Sequence, residues 1–122
     1  MIRGLGLDIC LISRMKEMLD HPRFRERVFS DGEKQYLAGK GTAAAQTAAG
    51  LFAAKEAFLK AVGTGIDSVD LRQIEIDHER GGRPCYRIHG TQKEKLKDGE
   101  RLYLSVTHDG DTAAAVCIIE GD

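Results

Sequence analysis

The chain has no C-x-x-C pair, no long apolar run, no G-x-x-x-x-G-K-[ST] loop and no excess of either charge. Each absence removes a class. The three cysteines, Cys10, Cys85 and Cys117, are an odd number without metal-ligand spacing. Zinc and a disulfide framework are not expected; thiols in apolar, strand-like runs read as small reduced core residues of a cytoplasmic protein. A net charge of −1 argues against a wholesale nucleic-acid binder. Asp8 interrupts the apolar N-terminal stretch and no small-residue cleavage site follows, so neither a signal peptide nor a membrane span is expected. Without the Walker motif, any phosphate chemistry must be built differently. No repeat, linker or low-complexity segment is visible, and 122 residues at 42% hydrophobic and 30% charged fit one soluble domain over 1–122.

What is present concentrates in Leu51 to Gly65, LFAAKEAFLKAVGTG. Ala, Leu, Lys and Glu are strong helix formers. Leu51, Ala54, Phe58 and Val62 recur at three- and four-residue spacing and make one apolar face. Glu56 and Lys60 are four apart, so they stand on one side of that helix. Gly63-Thr64-Gly65 ends it and offers backbone amides and a hydroxyl. A carboxylate, an ammonium and a Gly-rich turn can serve a metal and a phosphate. The same spacing also describes a solvated helix pair followed by a plain glycine cap.

The flanking chain gives this stretch its setting. Residues 2–12 alternate as a strand, with Leu5, Leu7, Ile9 and Leu11 on one face and Gly4, Gly6, Asp8 and Cys10 on the other. A carboxylate on a face cleared of side chains leaves room for something bulky to approach. The alternative is an aspartate that caps a neighbouring amide. Ser13 reads as the N-cap of a short helix, Arg14 to Leu19. After Pro22 come Arg23, Arg25 and Arg27, interleaved with Phe24, Val28 and Phe29. This is either a solvated amphipathic face or a dock for an acidic partner.

Ser30 to Glu33 fits a capping box that opens a helix to about Ala38. Gly39 and Gly41 break it, and Thr42 opens the long helix to Val62, whose alanine-rich first half and Gly50 suit close packing. Strands follow over Leu71 to Asp77 and Pro84 to His89, joined at Gly81-Gly82. Thr91 to Glu94 reads as a second capping box, with its helix ending before Gly99. Arg101 to Thr107 and Thr112 to Glu120 are strands about an Asp109-Gly110 turn. The last is apolar on both faces, so it is expected to be central and covered on both sides. Helices first and hairpins after give an α+β fold: an antiparallel sheet packed on one long and several short helices. His108 continues the apolar face of its strand. It is either structural or, with Ser105 and Thr107, a phosphate ligand.

Asp8 and Glu56 are the carboxylates that break their local patterns. Mg²⁺ takes one or two protein carboxylates and fills its shell with water and phosphate oxygens. Two carboxylates, Lys60 and a Gly-Thr-Gly turn therefore point to Mg²⁺-assisted phosphoryl-type transfer.

These residues also form an ordered set of motifs. Gly4-Leu-Gly-Leu-Asp8-Ile, Arg14, Phe24 with Phe29 and Glu33, Phe52-Ala-Ala-Lys-Glu-Ala57, Lys60-Ala, Gly63-Thr-Gly65, Gly82-x-Pro84 and Ser105-Val-Thr-His108 follow one another along the chain. Together they resemble the holo-[acyl-carrier-protein] synthase family, the small bacterial 4'-phosphopantetheinyl transferases, over nearly the whole length.

The resemblance implies that fold and a reaction of fatty acid biosynthesis. The 4'-phosphopantetheine arm of coenzyme A would move to a serine of an apo acyl carrier protein, and adenosine 3',5'-bisphosphate would leave. Asp8 and Glu56 would hold Mg²⁺, with Glu56 helping to deprotonate the serine and Lys60 offsetting charge on the leaving phosphate. Lys60, Gly63, Thr64, Gly65, Pro84, Thr107 and His108 would line the coenzyme A site. Arg14, with Arg23, Arg25 or Arg27, would meet the acidic carrier. The family's homotrimers place active sites between subunits, so Asp8 and Glu56 would face a neighbour's His108. The chain departs from the pattern at Leu51, where an Arg is common, and at Leu7 and Cys10, where Thr and Val are usual. A non-catalytic binding module and a structural domain of a larger synthase compete with this reading. Intact Asp8, Glu56 and Lys60 argue against the first.

Overall fold

The computed structural model describes residues 1–122. Strand β1 (Ile2–Leu11) leads into three short helices, α1 (Ile12–Met18), α2 (Pro22–Val28) and α3 (Asp31–Ala38). A 3-10 turn, Gly41–Ala43, opens the long helix α4 (Ala44–Val62). A second 3-10 turn, Leu71–Gln73, precedes β2 (Ile74–His78) and β3 (Pro84–Ile88). Then come α5 (Gly90–Lys93), β4 (Arg101–Asp109) and β5 (Thr112–Glu120). No helix is long and apolar enough to cross a membrane. The α+β class and the antiparallel pairing are as expected, but there are two sheets: β1-β5-β4 and the hairpin β2-β3.

The core forms where α4 lies across the inner face of the larger sheet. Ala48, Ala49, Ala53, Ala54, Ala57 and Phe58 are fully buried there. Small residues let backbones meet. A Cβ added to Gly6 would stand 1.9 Å from the Ala57 carbonyl oxygen, and one at Gly4 would stand 2.3 Å from that of Ala61. The face of β1 cleared of side chains thus receives the chain's own helix, and Asp8 lies at the margin of that contact. At the other end of α4, a Cβ on Gly50 would come within 2.9 Å of Val106.

Two charged groups, Lys55 and Glu33, lie inside the core. Lys55 is fully buried, and its ammonium donates to Glu33 Oε1 at 2.8 Å and to the carbonyls of Leu71 and Ile74 at 2.9 and 2.7 Å. Glu33 also accepts from the Ser30 and Ile76 amides, each at 2.9 Å. The Ser30–Glu33 capping box is present, and the same carboxylate ties α3 to α4 and β2. All these polar groups are satisfied, as burial requires.

Other local expectations change for long-range reasons. Ser13 is not a cap: α1 begins at Ile12, and the Ser13 amide and hydroxyl donate to Asp111 at 2.8 and 2.6 Å. Thr91 opens no capping box, because its hydroxyl donates to Gln73 and α5 begins at Gly90, with φ +59°. Strand β4 runs on through His108 to Asp109, and the turn falls on Gly110 and Asp111. Strand β5 is central, but only its inner face is covered within the chain. On the outer face Leu5, Leu7 and Ile9 are 63, 62 and 63% exposed, in register with Ile118, Val116 and Ala114.

Candidate active site

Asp8, Glu56 and Lys60 converge where the end of α4 meets β1. The Lys60 ammonium donates to Asp8 Oδ1 at 2.9 Å and to the Leu7 carbonyl at 3.0 Å. Lys60 therefore pairs with the aspartate of the strand rather than with Glu56 one turn earlier on its own helix. The second oxygen of Asp8, Oδ2, is buried and has no hydrogen-bond partner. Burial first, and then the adjacent Asp8 carboxyl, push Glu56 up to about 7, with Lys60 partly opposing. The negative field of the pair reaches further. Burial, Glu56 and Asp8 push the Cys10 thiol up to about 11, which leaves it protonated and unreactive.

Glu56, Leu59, Lys60, Thr64, Gly65 and Ile66 line a cleft of about 210 Å³. Gly63 caps α4 in the left-handed conformation, φ +82°. Its amide and that of Thr64 return to the Lys60 and Leu59 carbonyls at 3.1 and 2.9 Å. The turn therefore offers fewer free amides than its sequence suggests: those of Gly63 and Thr64 are engaged, and that of Gly65 is free. The Thr64 hydroxyl accepts from Lys95 at 3.1 Å, a residue that sequence reasoning passed over inside a charge-rich stretch.

Pro84 and His108 are elsewhere. They line a second cleft, of about 360 Å³, with Tyr36, Gln46, Thr47, Gly50, Leu51, His78 and others. His108 Nε2 is 3.1 Å from Gln46 Nε2, at the start of α4. Lys60 lies 14 residues further along that helix, roughly 20 Å by helical rise. One chain thus presents two separate clefts at opposite ends of α4. Thr107 projects from the outer face of β4, away from His108, because neighbours on a strand alternate.

The arginines divide as well. Arg14 is exposed on α1. Arg23 and Arg27 border an open groove with His21, Phe24 and Val69. Arg25 points back and donates to the Leu19 carbonyl, closing the turn between α1 and α2.

The sequence model of the 4'-phosphopantetheinyl transferase superfamily matches residues 4–117. The holo-[acyl-carrier-protein] synthase of Treponema denticola is 44% identical over 123 residues, covering 99% of this chain and 100% of that protein. The Chronobacterium ammoniagenes ACPS–CoA complex superposes with a TM-score of 0.85 at 32% identity, covering 98% of this chain and 97% of the other. A Bacillus anthracis holo-(acyl-carrier-protein) synthase in complex with CoA (3',5'-ADP) gives 0.84 at 35% identity, covering 100% and 99%.

Proposed function

The chain belongs to the 4'-phosphopantetheinyl transferase superfamily and is a transferase of its holo-[acyl-carrier-protein] synthase type; on that premise we propose that residues 1–122 act as one domain moving the 4'-phosphopantetheine arm of coenzyme A to a serine of an apo acyl carrier protein, with adenosine 3',5'-bisphosphate leaving. The observation that carries the chemistry is the orphaned Oδ2 of Asp8 beside a Glu56 carboxyl held up to about 7. Two hard oxygen donors, one of them buried without a partner, fit Mg²⁺. Asp8 and Glu56 would hold it, and the chemistry it supplies when bound is polarisation of the pyrophosphate and neutralisation of its charge.

The residues of the chain do the rest. Glu56, directly or through water, accepts the proton of the attacking serine hydroxyl. Lys60 offsets negative charge on the leaving phosphate, where charge grows as the bond breaks. Thr64 and Gly65 wall the cleft on the loop side. Arg14, Arg23 and Arg27 present positive charge to an acidic carrier, whereas Arg25 holds the backbone that carries them.

The assembly we propose is a homotrimer with active sites between subunits. The separation of the Glu56–Lys60 cleft from the Pro84–His108 cleft supports it, since a neighbour would bring the second half-site to the first. The uncovered apolar outer face of the β1-β5-β4 sheet supports it too. Free thiols at Cys10, Cys85 and Cys117 support a cytoplasmic setting.

Mass spectrometry of apo carrier incubated with the protein, coenzyme A and Mg²⁺ tests the proposal. The expected product carries the mass of the arm and disappears when Mg²⁺ is chelated. Unchanged carrier from fatty-acid and polyketide systems alike would overturn it.

A further inference from the structure

The cleft beside Lys60 is bordered by a cation that the reaction above leaves without a role. Lys95 follows α5 on a segment that is anchored on both sides. Gln92 is buried at 3% exposure, Leu96 packs against the core, and the Lys95 amide returns to the Gln92 carbonyl at 3.2 Å. Between these anchors the Lys95 ammonium donates to Thr64 Oγ1 at 3.1 Å, across 31 residues of chain. Thr64 is a wall of the cleft that holds Glu56 and Lys60.

Two features make this contact more than a surface hydrogen bond. First, Lys60 is already paired with Asp8. Lys95 has no carboxylate within 4.0 Å, unlike Lys34, Lys55 and Lys60, so its charge is uncompensated. Second, a hydroxyl that accepts from an ammonium keeps its own hydrogen free to donate. The ammonium also polarises it, which strengthens that donation.

We propose that Lys95 is a positioning residue for a pyrophosphate-bearing donor. It holds the Thr64 hydroxyl as an acceptor, so that the hydroxyl hydrogen turns to a phosphate oxygen. The inference rests on the reading of this cleft as the coenzyme A site.

The test uses the full chain with Lys95→Met, Lys95→Arg, Thr64→Val and the Lys95→Met/Thr64→Val double variant. Lys95→Met is expected to raise KM for coenzyme A about three- to tenfold, with a smaller change in kcat. Lys95→Arg should recover most of the loss. The double variant should be hardly worse than Thr64→Val alone, because the lysine acts through the hydroxyl. Calorimetric titration with inorganic pyrophosphate in the presence of Mg²⁺ should show weaker binding to Lys95→Met than to wild type. A Lys95→Met protein with wild-type KM and wild-type pyrophosphate affinity, or effects that simply add in the double variant, would overturn the proposal. A wild-type protein that transferred nothing would instead overturn the functional reading, and the pyrophosphate titration would still decide Lys95.

Discussion

Lys55 and Glu33 form an ion pair from which water is excluded on both sides: their side chains are 0 and 1% exposed and 2.8 Å apart. Lys55 stands immediately before Glu56, so the residue that fixes α4 against β2 and the one that faces the cleft are consecutive. Removing one partner strands the other charge in the core. Lys55→Met is expected to lower stability by about 3–5 kcal/mol, read from the urea midpoint. A midpoint equal to wild type would mean that Glu33 finds another partner.

Lys60 separates a chemical role from a structural one. It is 56% exposed and pairs with Asp8, so its contribution to stability is small. Loss of an electrostatic donor at a developing charge costs roughly 10²–10³ in rate. Lys60→Ala should therefore keep its melting temperature and lose kcat far more than KM changes. Normal turnover would remove Lys60 from the reaction.

Glu56 makes stability depend on pH. Its folded value, about 7, lies above the ordinary 4.5, so folding favours the protonated form. That contribution is fully present below about pH 4.5 and is lost as pH rises through about 7. Without Mg²⁺ the melting temperature should fall between about pH 5.5 and pH 8 on this account. Mg²⁺ should raise it more at the upper end, where no proton competes for the carboxylate. Equal Mg²⁺ shifts at both ends would show that the ion does not bind Glu56.

The outer row of β1 tests the assembly. Leu7 is 62% exposed in one chain and lies beside Val116 in the next strand. On the proposed assembly, Leu7→Asp should leave the fold of each chain intact and yield monomers in sedimentation, with transfer activity lost in parallel. A trimeric Leu7→Asp protein would place the interface elsewhere.

Arg14→Glu should raise KM for the carrier and leave that for coenzyme A nearly unchanged, because it reverses a docking charge. The wild-type carrier KM should climb with ionic strength, and the variant's should climb less. A change confined to the coenzyme A constant would remove Arg14 from docking.

The features legible in the sequence are those written in neighbouring residues. The Ser30–Glu33 capping box, the small packing face of α4 and the alternation of β1 all depend on spacings of two to four. Asp8 and Glu56 stood out because each breaks a local pattern. What escaped was long-range. Ser13 looks like a cap until Asp111, 98 residues away, takes its hydrogen bonds. Nothing local marks Lys55 as buried; Glu33 and the carbonyls of Leu71 and Ile74, far along the chain, explain why it can be. Thr91 is diverted by Gln73. Lys95 meets Thr64 only once the hairpin and α5 have folded back. The division into two sheets escaped for the same reason: strand pairing is settled by which edges α4 brings together.

The contact of Gly4 and Gly6 with α4 also works as a ruler. Asp8 comes from the strand and Glu56 from the helix, so the gap between their carboxylates is the gap between the two backbones, less the side chains. A single methyl at Gly6 would collide 1.9 Å from the Ala57 oxygen and lift the helix away from β1. The carboxylates would part with it. A small ion that demands oxygens at about 2.0–2.1 Å would lose its fit sooner than a larger one content with about 2.3–2.6 Å. At the proposed metal site, a preference for magnesium over calcium would thus be inherited from two missing side chains that touch neither ion.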